Sequence, residues 1–297
     1  MQSITPTSGP VKKKFKIEKT VDKQGFRTSI NKAINQEPEE VIYIVDDNYR
    51  KVEPYYFTYK TYCKERWRNT NILELLTTEF RARKPEDYAQ ALNDGKVLVN
   101  DEPIDKTYII KNGDLLQHTT HTHEPKVSNK PIKIVYEDDE MLVIDKPSSI
   151  PAHPTGRYRF NTVTKILERE MGILAHPINR LDRLTSGLMF LSKNPKKANE
   201  MRVSLFQREF SKQYMARVAG EFPLTLENEP IKVDKAIGTH NARVTLNIID
   251  EINGKPSQTE FKRISYDKES DTSIVLCKPL TGRTHQIRVH LQYLGYP

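Results

Sequence analysis

The sequence predicts an α+β fold with a mixed, mainly antiparallel sheet. Short segments in which apolar and polar residues alternate recur through the second half of the chain, as in half-buried strands. The helical segments between them are few and unequal in length, unlike the regular strand–helix alternation of a parallel-sheet protein. The 297 residues suit two domains, or one large domain with an appendage, and contain no internal repeat.

The charge and the composition indicate which kinds of partner and cellular compartment the protein is suited to. The formal net charge of +8 and the pI of about 9.2 favour an anionic partner, most often nucleic acid, with a merely basic soluble protein as the alternative. The two cysteines, Cys63 and Cys277, make neither a disulfide framework nor a zinc-site spacing, which suits a reducing compartment. No apolar run approaches the ~20 residues that a membrane span needs, so no membrane association is expected.

The amino-terminal residues 1–40 are predicted to be a disordered basic tail, because they are polar, lysine-rich and without periodicity. No apolar segment follows the first lysines, so a secretory signal is not predicted. A mitochondrial transit peptide is normally rich in arginine, and the first 17 residues contain none. We therefore predict a cytoplasmic protein, with mitochondria as the alternative.

Two further segments precede the second half of the chain. Residues 41–69 form an aromatic-rich extension with a strand VIYIV and the extended run PYYFTYKTYCKERW. The aromatic block Pro54–Trp67 is expected to pack on residues 125–297. Residues 70–124 begin with a helix capped by Asn69 or Thr70 and a second helix opened by Pro85. Strands KVLVN, TYII and LLQHTT follow these helices.

Residues 125–297 open with a predicted hairpin, IKIVYEDDEMLVIDKP. A helix is predicted from Asn161 or Thr162 to Gly172, and another from Asn194–Pro195. Strands are predicted at QYMARVAG, RVTLNII, SQTEFKRISY and TSIVLCKP, before a last helix, THQIRVHLQYLG.

The first of three segments with candidate functional residues is NRLDRLTSG, Asn179–Gly187, whose composition is unusual for a simple turn. Asp182 lies between Arg180 and Arg183, and cations so close favour the ionised carboxylate. Gly187 permits a tight backbone or the close approach of a ligand. The alternative is an ordinary ion pair at a surface turn.

Two later segments carry further candidates. In SKQYMARVAG, Ser211–Gly220, Tyr214 opens a strand, and a half-buried sheet tyrosine is the alternative. In LTGRTHQIRVHLQYLG, Leu280–Gly295, basic residues at a helix start oppose the helix dipole, which is easier to understand if they serve a site. The alternative is a solvated basic face made by Arg283, His285, Arg288 and His290.

In this order and at these separations, the three segments closely resemble the motifs of RluA-type pseudouridine synthases, over about Ile132–Pro297. LVIDKP and the following PAHP also resemble the opening segment of that family. The helices and strands around GKVLVN…NGDLL resemble an S4 RNA-binding domain, over roughly Thr70–Thr122. RKVEPYYFTYKTYCKERW and HEPKV are similar to a eukaryotic branch of tRNA pseudouridine-32 synthases, some of which are fused to a riboflavin-pathway deaminase.

The resemblance implies an S4-like RNA-binding domain at 70–124 and a pseudouridine synthase catalytic domain at 125–297. It implies isomerisation of uridine in RNA, most directly at uridine 32 of tRNA, by a monomer that needs no cofactor or metal. Alternatives are a synthase directed to ribosomal RNA and a non-catalytic RNA-binding protein. Family members continue beyond Gly295–Tyr296–Pro297, so the catalytic domain is expected to be truncated, and no deaminase segment is present.

The family's residue roles carry over to matching positions. Asp182 would be the nucleophile, Tyr214 would stack on the base and help to remove the C5 proton, and Arg288 would form a salt bridge with Asp182. Arg180 would fill the space left by the flipped uridine. The weaker candidates, for phosphate contact or site support, are Arg183, Arg283 and Lys146. Asn179 departs from the family, which often has histidine there.

Three histidines, His118, His121 and His123, superficially resemble a metal-binding set. No acidic residue or cysteine is spaced to complete it, so we interpret the segment as a polar linker or an RNA contact and predict no metal.

Overall fold

Every strand pairing in the described part of the chain is antiparallel, with helices placed irregularly between the strands. This confirms the predicted α+β class. The computed structural model describes residues 11–16, 40–80, 83–207, 209–224, 229–241 and 246–297. Backbone contacts divide the chain into two compact units, Met1–Ala198 and Asn199–Pro297.

The strands of the first unit are β1 (Val11–Lys16), β2 (Glu40–Val45), β3 (Tyr49–Val52), β4 (Tyr55–Tyr62), β5 (Val97–Val99), β6 (Glu102–Pro103), β7 (Leu115–Thr122), β8 (Val127–Ser128), β9 (Lys133–Glu137), β10 (Met141–Lys146), β11 (His176–Pro177) and β12 (Gly187–Ser192). Those of the second unit are β13 (Tyr214–Ala219), β14 (Ile231–Asp234), β15 (Ile237–Asn241), β16 (Leu246–Ile249), β17 (Gln258–Asp267) and β18 (Thr272–Pro279). The helices are α1 (Ile72–Glu79), α2 (Pro85–Asn93), α3 (Val163–Met171), α4 (Pro195–Phe206) and α5 (Gln286–Tyr293).

The aromatic-rich extension packs on the segment before α3, as expected. Its sheet has the order β1-β2-β3-β8, and the Tyr55 and Phe160 rings meet edge to face with their centroids 5.0 Å apart. The Tyr43 hydroxyl donates a hydrogen bond of 2.8 Å to the Phe160 carbonyl. The predicted disordered tail contains β1, which pairs with β2; residues 1–10 and 17–39 lie outside the described part.

A buried carboxylate, Glu124, joins the extension to the same segment. It accepts hydrogen bonds from the Tyr55 hydroxyl at 2.8 Å and from the backbone N–H groups of Phe160 at 2.8 Å and Asn161 at 2.9 Å. Burial and the neighbouring Glu124 carboxylate raise the pKa of Tyr55, so its hydroxyl stays protonated and remains a donor. Three donors from two distant parts of the chain therefore depend on one carboxylate.

Replacing Glu124 with alanine is expected to lower the free energy of unfolding by about 3 kcal/mol or more, because three buried donors lose their acceptor at ~1–3 kcal/mol each. Urea denaturation followed by circular dichroism measures the change. Glu137→Ala is the control, since Glu137 makes an exposed ion pair with Lys193 that contributes ~1 kcal/mol at most. Equal stability of the two variants would contradict the role of Glu124.

The predicted S4-like segment contains two helices followed by short strands, in the expected order. The sheet β4-β7-β5-β6 and both helices surround one apolar core. The cap of α1 is Asn71 rather than Asn69 or Thr70, and its side chain accepts from the Leu73 N–H at 2.9 Å. TYII is not a strand: only Ile109 makes an isolated bridge, to Asn71. Membership of the S4 family remains a prediction.

The third sheet of this unit has the order β11-β12-β10-β9 and confirms the predicted hairpin. α3 has Thr162 at its N-cap position, as predicted, although the Thr162 hydroxyl bonds the Arg159 carbonyl and not the helix. The helix ends at Gly172, whose φ of 69° places it in the left-handed region, also as predicted. The second unit contains the sheet β13-β18-β17-β14, the hairpin β15-β16 and α5. Leu291 of α5 packs into the apolar core of that unit.

Two predictions for the second unit were incomplete. Of the predicted strand RVTLNII, β16 forms the described part, because residues 242–245 lie outside the described chain, and β14 and β15 were not predicted. α5 begins at Gln286 rather than Thr284, since His285 has a φ of 57° and interrupts the helical backbone. Among the described residues, no helix is long and apolar enough to span a bilayer.

Candidate active site

The loop that carries Asp182 connects β11 to β12. Asp182 occupies the first position of a turn, in which its carbonyl accepts from the Thr185 N–H at 3.0 Å; aspartate is favoured there. The Asn179 side-chain oxygen accepts from the Phe190 N–H at 2.8 Å, so this residue anchors the start of the loop on β12. Gly187, at a φ of 117°, starts β12 in a conformation that favours glycine. Both ends of the loop are thereby fixed by the sheet.

Lys146, the last residue of β10, lies directly beneath this loop. Its side chain is fully buried, and its Nζ donates to the carbonyls of Pro147 at 2.8 Å, Ile150 at 2.8 Å and Arg183 at 3.3 Å. Burial lowers the pKa of Lys146 to about 8; the Asp182 carboxylate opposes this shift and Arg183 adds to it. Of its two predicted roles, phosphate contact does not fit this burial, whereas site support does.

The segment after β10 makes further contacts with the loop that carries Asp182. The Ser148 hydroxyl donates to the Leu184 carbonyl at 2.8 Å, and the Arg183 guanidinium lies 5.7 Å from the centre of the Tyr158 ring. Arg180 and Arg183 are exposed, and Asp182 is half-buried between them. Within the first unit, the structure thus brings together the predicted site residues Lys146, Arg180, Asp182 and Arg183.

In the second unit, Tyr214 is the first residue of β13 and pairs across the sheet with the buried Cys277. The ring is half-buried and packs against the apolar core of this unit, as the alternative interpretation also expected. Lys212 Nζ donates to the Thr281 carbonyl at 3.4 Å. This contact joins the second of the three motifs to the third.

Gln286 organises the turn before α5. This role was not predicted from the sequence. Its side-chain oxygen accepts from the Thr281 hydroxyl at 2.7 Å and from the Arg283 N–H at 2.9 Å, while its amide donates to the Gln258 carbonyl at 2.9 Å. Arg283 Nε donates to the Pro256 carbonyl at 3.1 Å, so this side chain supports the same turn. Arg288 is exposed on the first turns of α5.

His290 does not belong to a solvated basic face. It is fully buried, with Nδ1 2.8 Å from the Thr259 hydroxyl and Nε2 3.1 Å from the Lys235 carbonyl. Burial lowers its pKa, which favours the neutral ring. Gln286 and His290 are four residues apart, and this spacing on the same helix face as the apolar Val289 is the signal that could have identified both as buried.

His118 and His121 lie in β7 and His123 follows it directly, but their side chains are not arranged as metal ligands. His118 is packed beside Tyr88, and burial lowers its pKa to about 4. His121 and His123 contact each other through ring nitrogens 3.2 Å apart. In the part of the chain that the structure describes, no group of three or more His, Cys, Asp or Glu side chains could hold a metal ion.

Comparison with known proteins places this geometry in a family. The profile described as RNA pseudouridylate synthase matches residues 140–293, which include the Asp182 loop, β13 and most of α5. The chain belongs to the RNA pseudouridylate synthases. This confirms the resemblance to RluA-type enzymes, which carry out isomerisation of uridine in RNA.

Curated relatives of this pseudouridine synthase match most of the chain. The tRNA pseudouridine(32) synthase, mitochondrial, of Saccharomyces cerevisiae is 49% identical over 100% of this chain and 66% of its own length. Human pseudouridylate synthase RPUSD2 is 43% identical over 87% of the chain and 46% of its own length. The tRNA pseudouridine(31) synthase of Saccharomyces cerevisiae is 39% identical over 84% and 70%. The chain therefore spans about half to two thirds of the length of these relatives.

Proposed function

We propose that this chain converts uridine to pseudouridine at position 32 of the tRNA anticodon loop. The observation that carries the proposal is the 49% identity, over the full chain, to a yeast protein named for that position. The anchored Asp182 turn supports it, because a carboxylate nucleophile must be held in place before it can react.

In the proposed reaction, Asp182 attacks the sugar or the base of the target nucleotide and the glycosidic N–C bond breaks. The detached uracil rotates, a C–C bond forms to C5, and Tyr214 helps to remove the C5 proton. Arg288 is proposed, from the family resemblance, to pair with Asp182 and orient its carboxylate. Nothing is oxidised and no group leaves, so the atoms balance without a cofactor, and the site has only to hold the free base and exclude water.

The position is tested by nucleotide-resolution pseudouridine mapping of tRNA incubated with the purified chain. Modification at position 32 is expected. Modification at position 31 alone would assign the chain to the activity named for the 39% identical yeast relative, and modification of ribosomal RNA alone would favour the rRNA-directed alternative. If no tritium is released from 5-tritiated uridine in bulk tRNA, the alternative of a non-catalytic RNA-binding protein would be favoured.

Arg180→Ala is expected to reduce the rate more on folded tRNA than on a single-stranded oligonucleotide with the same sequence. Flipping a base out of a folded loop leaves a gap that the exposed guanidinium fills, whereas a flexible strand needs less help. Single-turnover rates on both substrates measure the difference. Equal losses on the two substrates would remove this role.

For the compartment, we propose the mitochondrial alternative, which is supported by the name of the 49% identical yeast relative, a mitochondrial tRNA pseudouridine(32) synthase. Imaging of a tagged chain tests it, and a uniform cytoplasmic signal would restore the first prediction.

Residues 70–124 are proposed to bind tRNA outside the target loop, and the protein is proposed to act as a monomer. Arg283 is proposed to support the site through its contact with Pro256.

A further inference from the structure

A small hairpin, Thr155–Tyr158, projects from the segment that follows β10. The Thr155 N–H donates to the Tyr158 carbonyl at 2.8 Å, and the Tyr158 N–H donates to the Thr155 carbonyl at 2.9 Å. Gly156, with a φ of 53°, takes the first central position of the turn, where two-residue hairpins often need glycine. Arg157 is therefore held at the exposed tip of a hydrogen-bonded turn.

This hairpin is tied to the loop that carries Asp182. The Tyr158 ring lies against the Arg183 guanidinium, 5.7 Å from centroid to Cζ. Lys146 Nζ bonds the carbonyl of Ile150, which precedes the hairpin, and also that of Arg183. All these residues belong to the first unit, so the hairpin and the Asp182 turn form one connected piece of structure.

The electrostatics of this piece favour an anion. Residues 151–160 contain no aspartate or glutamate, and Asp182 is the one carboxylate in residues 178–188. Within the described part of the chain, Arg157 makes no ion pair. Arg159 differs from it, since its guanidinium stacks on the Phe57 ring at 3.8 Å and serves packing. Arg157 thus remains an exposed, positioned cation that neither the core nor the proposed reaction uses.

We propose that Arg157 binds a backbone phosphate of the substrate RNA, next to the nucleotide that reacts. The inference rests on the proposed function and adds a binding residue outside the three motifs. A guanidinium presents a planar fork of donors that matches phosphate oxygens. A side chain carried on a fixed turn loses less conformational freedom on binding than one on a flexible loop. The hairpin would then set the position of the RNA backbone relative to Asp182.

The test compares Arg157→Ala, Arg157→Lys and Lys133→Ala in the full chain, with in vitro transcribed tRNA as the probe. Lys133→Ala is the matched control, because it removes one exposed cation from β9. The dissociation constant is measured at several salt concentrations, alongside the single-turnover rate at saturating enzyme. Arg157→Ala should weaken binding about fivefold and reduce the slope of log K against log salt by ~0.7–0.9, the value of one phosphate contact.

Arg157→Lys should keep the wild-type salt slope, because its charge is retained, and should lose less affinity than the alanine variant. An unchanged affinity and slope in Arg157→Ala would overturn the inference, as would an equal loss in Lys133→Ala, which would indicate a general charge effect. Wild-type protein that binds tRNA without isomerising it would instead refute the proposed function, while the salt slopes would still decide the phosphate contact.

Discussion

The Asp182→Asn variant is expected to bind tRNA with an affinity close to that of the wild-type chain and to lose at least about 1,000-fold in single-turnover rate. That loss corresponds to about 4 kcal/mol of barrier lowering. An amide has nearly the shape of the carboxylate, so the turn with Thr185 should form, since it uses the Asp182 carbonyl rather than the side chain. The amide cannot act as an anionic nucleophile.

Tritium release from 5-tritiated uridine in tRNA measures the rate, and filter binding measures the affinity. Asp139→Asn is the control, because it makes the same carboxylate-to-amide change at an exposed turn between β9 and β10. Activity within about tenfold of wild type, equivalent to ~1.4 kcal/mol, would refute the assignment of Asp182 as nucleophile. An equal loss in both variants would point to misfolding or to a charge effect.

Features that depend on neighbouring residues could be predicted from the sequence. Alternating segments became the hairpin of β9 and β10 and the long pair β17 and β18. α3 lies between Thr162 and Gly172 as expected, and its end is local because Gly172 takes the left-handed conformation that closes helices. A turn at Asp182 was predicted only in the alternative of a surface ion pair, and the hydrogen bond from the Thr185 N–H to the Asp182 carbonyl was not predicted.

Features that depend on distant residues could not be predicted. Lys146 bonds the Arg183 carbonyl, 37 residues away, and nothing in the sequence around either position indicates that the ammonium is buried. Local patterns also cannot show that the Tyr43 hydroxyl bonds the Phe160 carbonyl across 117 residues. A tyrosine on an alternating strand predicts a half-buried ring but does not identify its partner.

The packing of the extension limits what truncation can show about RNA binding. A deletion of residues 1–122 would remove Tyr43 and Tyr55 together, and with them the covering of Phe160 and a hydrogen bond to Glu124. Loss of binding in such a protein would not be separable from loss of folding. Surface substitutions that leave the extension intact therefore test the proposed role of residues 70–124 more directly.

Lys146→Met is expected to reduce the saturated rate about 100-fold, with a much smaller effect on tRNA affinity. Methionine fills a similar volume but donates no hydrogen bond, so the carbonyls of Pro147, Ile150 and Arg183 lose their shared partner. The turn next to Arg183 then shifts, and a displacement of ~1 Å at a reacting group can cost 10²-fold. Lys133→Met is the control for the loss of an exposed lysine, and an equal rate in both variants would contradict the positioning role.

The pH dependence distinguishes this positioning role from simple stability. The pKa of Lys146 is lowered by burial from 10.5 to about 8, so the folded protein releases this proton before the unfolded chain does. This group therefore makes the free energy of unfolding rise, not fall, between about pH 8 and 10.5. Above pH 8 the neutral amine has two N–H groups for three carbonyls, so the wild-type rate should decline while the fold is retained. The Lys146→Met variant should lack this decline, and a wild-type rate that stays level through pH 8 would show that the ammonium does not hold the Asp182 loop.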